Sequence, residues 1–115
     1  GAVNLVTVGL HETGGILGFK KVASIAEVFG INVCLHGVFE TGITTCASLQ
    51  AACTIPNIDD GNQIMFQLLE EDLVLKPDLT PNGGRIQVFS KPGLGFELDH
   101  DVVSRAKESC KKLSG

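Results

Sequence analysis

The sequence predicts an α/β fold with parallel strands, and three observations carry that prediction. Residues 31–35 (INVCL) are a short apolar run directly behind a helix-like segment, the pattern of a buried strand in a parallel sheet. Residues 2–8 (AVNLVTV) are apolar and β-branched enough for another strand, with Asn4 and Thr7 as polar interruptions. Between the two runs the apolar positions recur with a helical period. Strand, crossover helix and strand in that order make a β–loop–α–β unit, with parallel strands and a right-handed crossover.

The segment GLHETGG turns the chain after the first strand, and Gly14 and Gly15 give the backbone freedom to do so. Over residues 16–29, Phe19, Val22, Ala23, Ile25, Ala26 and Phe29 form the apolar stripe, while Lys20, Lys21, Ser24 and Glu27 face away. Gly30 ends that helix. Gly42 opens a second helix over residues 43–53, rich in Ala, Cys, Ser and Thr and so suited to close packing, and Pro56 ends it. Residues 57–63 (NIDDGNQ) are a polar connection with a very short strand around Ile58. Residues 64–75 fit a short helix and then an extended piece. Residues 77–84 (PDLTPNGG) are loop, leading through a hairpin-type turn into a strand over residues 85–89. Residues 90–99 (SKPGLGFELD) form a rigid turn. Asp101 is the expected N-cap of a last helix, residues 102–113, whose Lys111 and Lys112 suit its C-terminal dipole.

At 115 residues, 43% apolar and 19% charged, the chain is at most one globular domain with a real hydrophobic core. A net charge of −4 without a clustered basic face argues against a nucleic-acid partner. No run approaches a membrane span and no signal peptide is visible, so the expected setting is cytoplasmic, with no membrane partner. The opening Gly-Ala, without a methionine, reads as an unnatural start. Cys34, Cys46, Cys53 and Cys110 lack a CxxC or Cys/His ligand pattern. They read foremost as small buried hydrophobes of a reducing compartment, with a disulfide, a metal site or a catalytic thiol as alternatives.

In parallel α/β sheets the chemistry gathers just beyond the carboxyl ends of the strands, where His36 stands. Imidazoles in general titrate near neutral pH, which makes His36 the candidate proton-transfer residue; the alternative is a hydrogen-bonded loop histidine. Glu40 either anchors His36, lines the site or caps the following helix. Gly14 and Gly15 before a helix N-terminus suit an anionic group, although the full GxGxxG pattern is absent. Asp59 and Asp60 suit a cation or are simply solvated, and His11 and His100 lie in turns with weaker claims. No P-loop, HExxH or GxSxG motif is present.

The strand at residues 2–8 is followed by ETGGILGFKKVASIAEVFGINVCLHGVFETGI, then TTCASLQAAC, then PNGGRIQVFSKPGLGFELD. Together these segments resemble the mandelate racemase/muconate-lactonizing enzyme family of the enolase superfamily, over nearly the whole chain. The resemblance implies the C-terminal part of a modified TIM (β/α) barrel. Residues 1–75 would carry about strands six to eight with their helices, and residues 76–115 a tail returning towards a capping domain. Members of that family abstract a proton α to a carboxylate and hold the enediolate on Mg²⁺, as acid racemases, sugar-acid dehydratases or cycloisomerases.

Carried to this sequence, the seventh-strand histidine of the racemase-like branch matches His36. The Lys or Asp that usually ends the sixth strand falls on Gly9, and the eighth-strand acid falls near Asp60 or Gln63. The family's metal-binding acids lie on the third to fifth strands, so Mg²⁺ is expected in the complete enzyme with no ligand from this chain. The implied site has His36 as acid/base, with Glu40, Gly14, Gly15 and Gln63 shaping it. The implied partners are a small carboxylic-acid substrate and the remainder of the barrel and capping domain, in a homo-oligomer.

Two or three parallel strands cannot close a barrel, which typically takes about 250 residues, and the first strand would be left as a bare edge. The chain is therefore expected to fold stably only against the rest of its barrel, in the same protein or a companion chain. One rival reading is a non-catalytic, degenerate barrel segment with a structural or interaction role, supported by Gly9 and the missing carboxylates. Another is a small flavodoxin-like binding domain, which the lack of a β/α repeat after Cys53 disfavours.

Overall fold

The computed structural model describes residues 1–114. The chain opens with strand β1 (Leu5–Val8), a one-turn helix α1 (Leu10–Thr13), helix α2 (Ile16–Val28) and strand β2 (Asn32–Leu35). β1 and β2 are parallel neighbours, with Leu5 opposite Asn32 and Val8 opposite Leu35. Ile58 adds a third parallel segment through a single bridge to Val33. The Val33 amide donates to Asn57 O at 2.9 Å, and the Asp59 amide to Val33 O at 2.7 Å. This last strand stays short because residues 57–63 hold one large apolar side chain, Ile58, to bury.

Alternation of side chains gives the small sheet two unlike faces. Val6, Val8, Val33 and Leu35 pack into the core with Phe19, Ala23, Ala26, Ala47 and Ala51. Leu5, Thr7, Asn32 and Cys34 share the other face, where Thr7 Oγ1 meets Cys34 Sγ at 3.2 Å and Asn32 Nδ2 donates to Asp59 Oδ2 at 2.8 Å. Among the described residues β1 pairs with β2 on one side only, and Val3 and Leu5 are exposed.

α2 ends in a glycine cap of two bonds: Gly30, at φ 66°, donates to Glu27 O, and Ile31 N donates to Ala26 O. Its inner side buries Phe19, Ala23 and Ala26. The apolar stripe expected for it is too wide, because Ile25 and Phe29 are 62% and 74% exposed. Leu17 and Val28 are bare as well. The core claims one side of this helix, and among the described residues no element covers Leu17, Ile25, Val28 or Phe29 on the other.

α3 (Gly42–Ala52) is different. Thr45, Cys46, Ala47 and Ser48 are all buried, although four consecutive residues span most of the helix circumference. The core takes one side and the tail the other. Asp72 Oδ1 accepts from the Gly42 amide at 2.8 Å, and Gln50 Nε2 donates to Phe89 O at 3.0 Å. A side chain at Gly42 would run into the Asp72 carboxylate.

The tail holds a short 3₁₀ turn (Phe66–Leu68), strand β3 (Val74–Lys76), its antiparallel partner β4 (Glu97–Leu98) and helix α4 (His100–Leu113). Several expectations are corrected here. The turn at Gly83 and Gly84 forms, with Asn82 and Arg85 exchanging both backbone bonds. Residues 85–89 beyond it are irregular and not a strand, since no edge continues that ladder. Residues 97–98 pair as β4 inside the segment expected to be a plain turn. Asp99, not Asp101, caps the last helix, accepting from the Asp101 and Val102 amides at 3.0 and 3.1 Å. Cys53 and Cys110 are exposed, so burial holds for Cys34 and Cys46 only. No helix among the described residues is long and apolar enough to cross a membrane.

Candidate active site

The site is built where β1, α1 and β2 meet at the carboxyl end of the sheet. Leu10, 8% exposed, pins α1 to the core. Glu12 lies two residues further on, about 200° around the helix, and so comes over the opposite face. Thr13 Oγ1 donates to Gly9 O at 2.9 Å, which ties α1 back to the end of β1. The His36 amide donates to Val8 O at 3.0 Å and keeps the end of β2 level with that of β1.

These constraints bring Glu12 Oε1 to 2.6 Å from His36 Nδ1. A hydrogen bond from its own backbone amide, and then the bond with His36, hold the Glu12 carboxyl below its ordinary range. At neutral pH it is ionised and can only accept. His36 Nδ1 therefore carries the hydrogen, which leaves Nε2 as the ring nitrogen free to take a proton.

The other expected site residues divide. Gln63 sits beside His36: its amide donates to Leu35 O at 3.0 Å, and its Oε1 accepts from the Gly37 amide at 3.5 Å. Glu40 is buried, and its Oε2 accepts from the Val38 amide at 2.6 Å, bracing the loop in which Phe39 takes φ 48°. It neither bonds His36 nor caps α3, whose first amide is met by Asp72. Gly14 and Gly15, at φ 74° and 104°, close α1 and open α2. They border a groove of about 380 Å³ shared with His11, Thr44 and Leu94, which His36 does not line. Asp59 is tied to Asn32, and His100 begins α4. Gly9 contributes no side chain. Among the described residues no three His, Cys, Asp or Glu side chains converge as a metal ion requires.

Glu12 is the residue sequence reasoning missed. Its signal was a carboxylate three residues past Gly9, one helical turn beyond the strand end, in a segment read as a plain turn.

Residues 1–102 match the family model described as enolase C-terminal domain-like. The chain belongs to that family. This enolase-type segment is 39% identical over 103 residues to D-xylonate dehydratase of Haloferax volcanii, covering 89% of this chain and 24% of that protein. It is 32% identical over 105 residues to muconate cycloisomerase 1 of Rhodococcus opacus, covering 90% and 28%. An enolase of Pseudomonas fluorescens, solved with bound magnesium, potassium and tartrate, superposes with a TM-score of 0.81 at 28% identity, covering 90% of this chain and 25% of that one. The chain thus spans about a quarter of the length of the relatives it matches. The expected kinship with the mandelate racemase/muconate-lactonizing enzymes and the C-terminal barrel assignment are both borne out.

Proposed function

We propose that this chain supplies the C-terminal strands of a Mg²⁺-dependent barrel enzyme that abstracts a proton α to a carboxylate, with His36 as the acid/base. The observation that carries the reading is the position of His36 at the carboxyl end of β2, with Nδ1 engaged at 2.6 Å and Nε2 free. The dehydratase and the cycloisomerase among its relatives make an isomerase or lyase the class to expect. Gln63 and the loop braced by Glu40 border the same end of the sheet, and Gly14 and Gly15 shape the approach beside it. Magnesium would supply the positive charge that stabilises the developing anion. The resemblance implies that its ligands stand on the third to fifth strands of the complete barrel, and no step here runs through the metal.

The substrate class is a small carboxylic acid, and the macromolecular partner is the remainder of the barrel with its capping domain, within a homo-oligomer. The bare edge of β1 and the exposed Leu17, Ile25 and Val28 of α2 are where that remainder would seat. In this division residues 1–75 form the barrel segment and residues 76–115 the tail. A cytoplasmic setting fits the family's chemistry.

The test uses the assembled barrel, meaning this chain joined to or complemented by the strands it lacks. D-xylonate, which carries a hydrogen on the carbon α to its carboxylate, is the first acid to offer, and NMR in D₂O reads α-proton exchange. His36→Asn is expected to lower the exchange rate by roughly 10²–10⁴-fold, the usual contribution of a general acid/base. A retained rate removes His36 from the role. A second reading, a non-catalytic barrel segment, is favoured by the absent side chain at Gly9. Carboxylates on each of the three preceding strands would exclude it.

A further inference from the structure

We propose that Glu12 is the positioning residue of His36, its carboxylate taking the room that Gly9 leaves at the end of β1. The inference rests on the acid/base reading of His36 and deepens it by naming the group that aims the ring. Three independent facts support it.

The first is the contact itself. An ionised carboxylate 2.6 Å from Nδ1 fixes one tautomer of the imidazole and restrains its rotation. The second is the mounting of Glu12. Its helix is pinned on one side by buried Leu10 and on the other by the Thr13 bond to Gly9, so the carboxylate is delivered by a braced turn. The third concerns Gly9. Its backbone, at φ −110° and ψ 168°, is extended and open to any residue, so conformation does not demand glycine there. Space does. A Cβ at position 9 would meet the Glu12 carboxylate and would lie 2.9 Å from the His36 carbonyl oxygen. The carboxylate thus occupies the volume that a side chain at the end of β1 would otherwise fill.

The pair is not explained by stability. The His36 and Glu12 side chains are 38% and 46% exposed, and ion pairs that wet contribute little to folding. What a carboxylate does contribute in this geometry is orientation of the ring, as in other paired histidines.

The experiment compares Glu12→Ala and Glu12→Gln with the parent in the assembled barrel, using ¹⁵N-labelled histidine to read the His36 tautomer by NMR. Alanine suits a helix and Glu12 is exposed, so both variants are expected to keep the fold. The parent and Glu12→Gln, whose amide oxygen still accepts, should show the Nδ1–H form; Glu12→Ala should lose that preference. The α-proton exchange rate should fall by about 10–100-fold in Glu12→Ala and less in Glu12→Gln. An unchanged tautomer in Glu12→Ala overturns the proposal. So does a full exchange rate in that variant when His36→Asn abolishes exchange. A full rate in His36→Asn instead brings down the acid/base reading itself, so the two failures are told apart.

Discussion

α2 and α3 lean on the same small sheet, yet one is half bare and the other is sealed. α2 carries Leu17, Ile25, Val28 and Phe29 exposed on its outer side, which no element among the described residues covers. α3 is made of small residues, and the tail closes over its outer side through Asp72 and Gln50. The composition of each helix follows from its neighbour. Ala, Ser, Thr and Cys let the tail approach α3 closely, whereas branched side chains on α2 are fit to interdigitate with another helix. Among the described residues, the tail covers the sheet beyond β2, while the side of α2 next to β1 stays exposed.

The comparison can be broken at three depths. The largest effect belongs to Phe19, fully buried on the inner side of α2. Phe19→Ala should cost about 3–5 kcal/mol in urea unfolding of the assembled barrel. A cost below about 1 kcal/mol would mean that the inner side of α2 is not the core side and would dissolve the contrast.

Next come the two outer sides. Ala51 is 2% exposed in α3, so Ala51→Leu should overpack it and cost about 1–3 kcal/mol. Ile25 is 62% exposed here, and its burial in the assembled barrel is what the comparison asserts. Ile25→Asp should therefore cost about 1–3 kcal/mol or more there, as a buried polar group without a partner does. A change within about 0.5 kcal/mol, the usual range for solvated positions, would mean that nothing seats on that side of α2.

The same contrast explains what could be read from the sequence. The parallel unit was legible because its signals are local: the apolar runs of β1 and β2 and the helical recurrence in α2 each lie within one short stretch. His36 was legible for a related reason, since the end of an apolar run marks the end of a strand. The width of the α2 stripe was not, because Ile25 and Phe29 are apolar whether or not a neighbour covers them. β4 escaped notice because it is two residues long and exists only by pairing with β3, more than twenty residues earlier. Glu12 escaped because a four-residue helix has no period to detect, and because its meaning depends on a histidine 24 residues away. Asp101 was read as the cap, whereas Asp99, two residues earlier, accepts the Asp101 and Val102 amides at the helix start. Only the direction of the Asp99 side chain decides between them.

The smallest effect is a matter of pH, and it separates the wrapped helix from the exposed carboxylates. Burial, and secondarily the negative charge of Asp72, push the Cys46 thiol up from its ordinary range. A group raised by folding adds stability that is complete below its unfolded value and is lost as pH rises through its folded value. The carboxyls of Glu12 and Glu97, lowered by their hydrogen bonds, behave in the opposite sense. Their contribution is present above the ordinary carboxylate range and disappears as pH falls through the depressed values. Thermal unfolding of the assembled barrel across pH should therefore show an alkaline loss that Cys46→Ala removes, and an acid loss that Cys46→Ala leaves unchanged. If the alkaline loss persists in Cys46→Ala, another group causes it, and the buried thiol is not what ties the stability of α3 to alkaline pH.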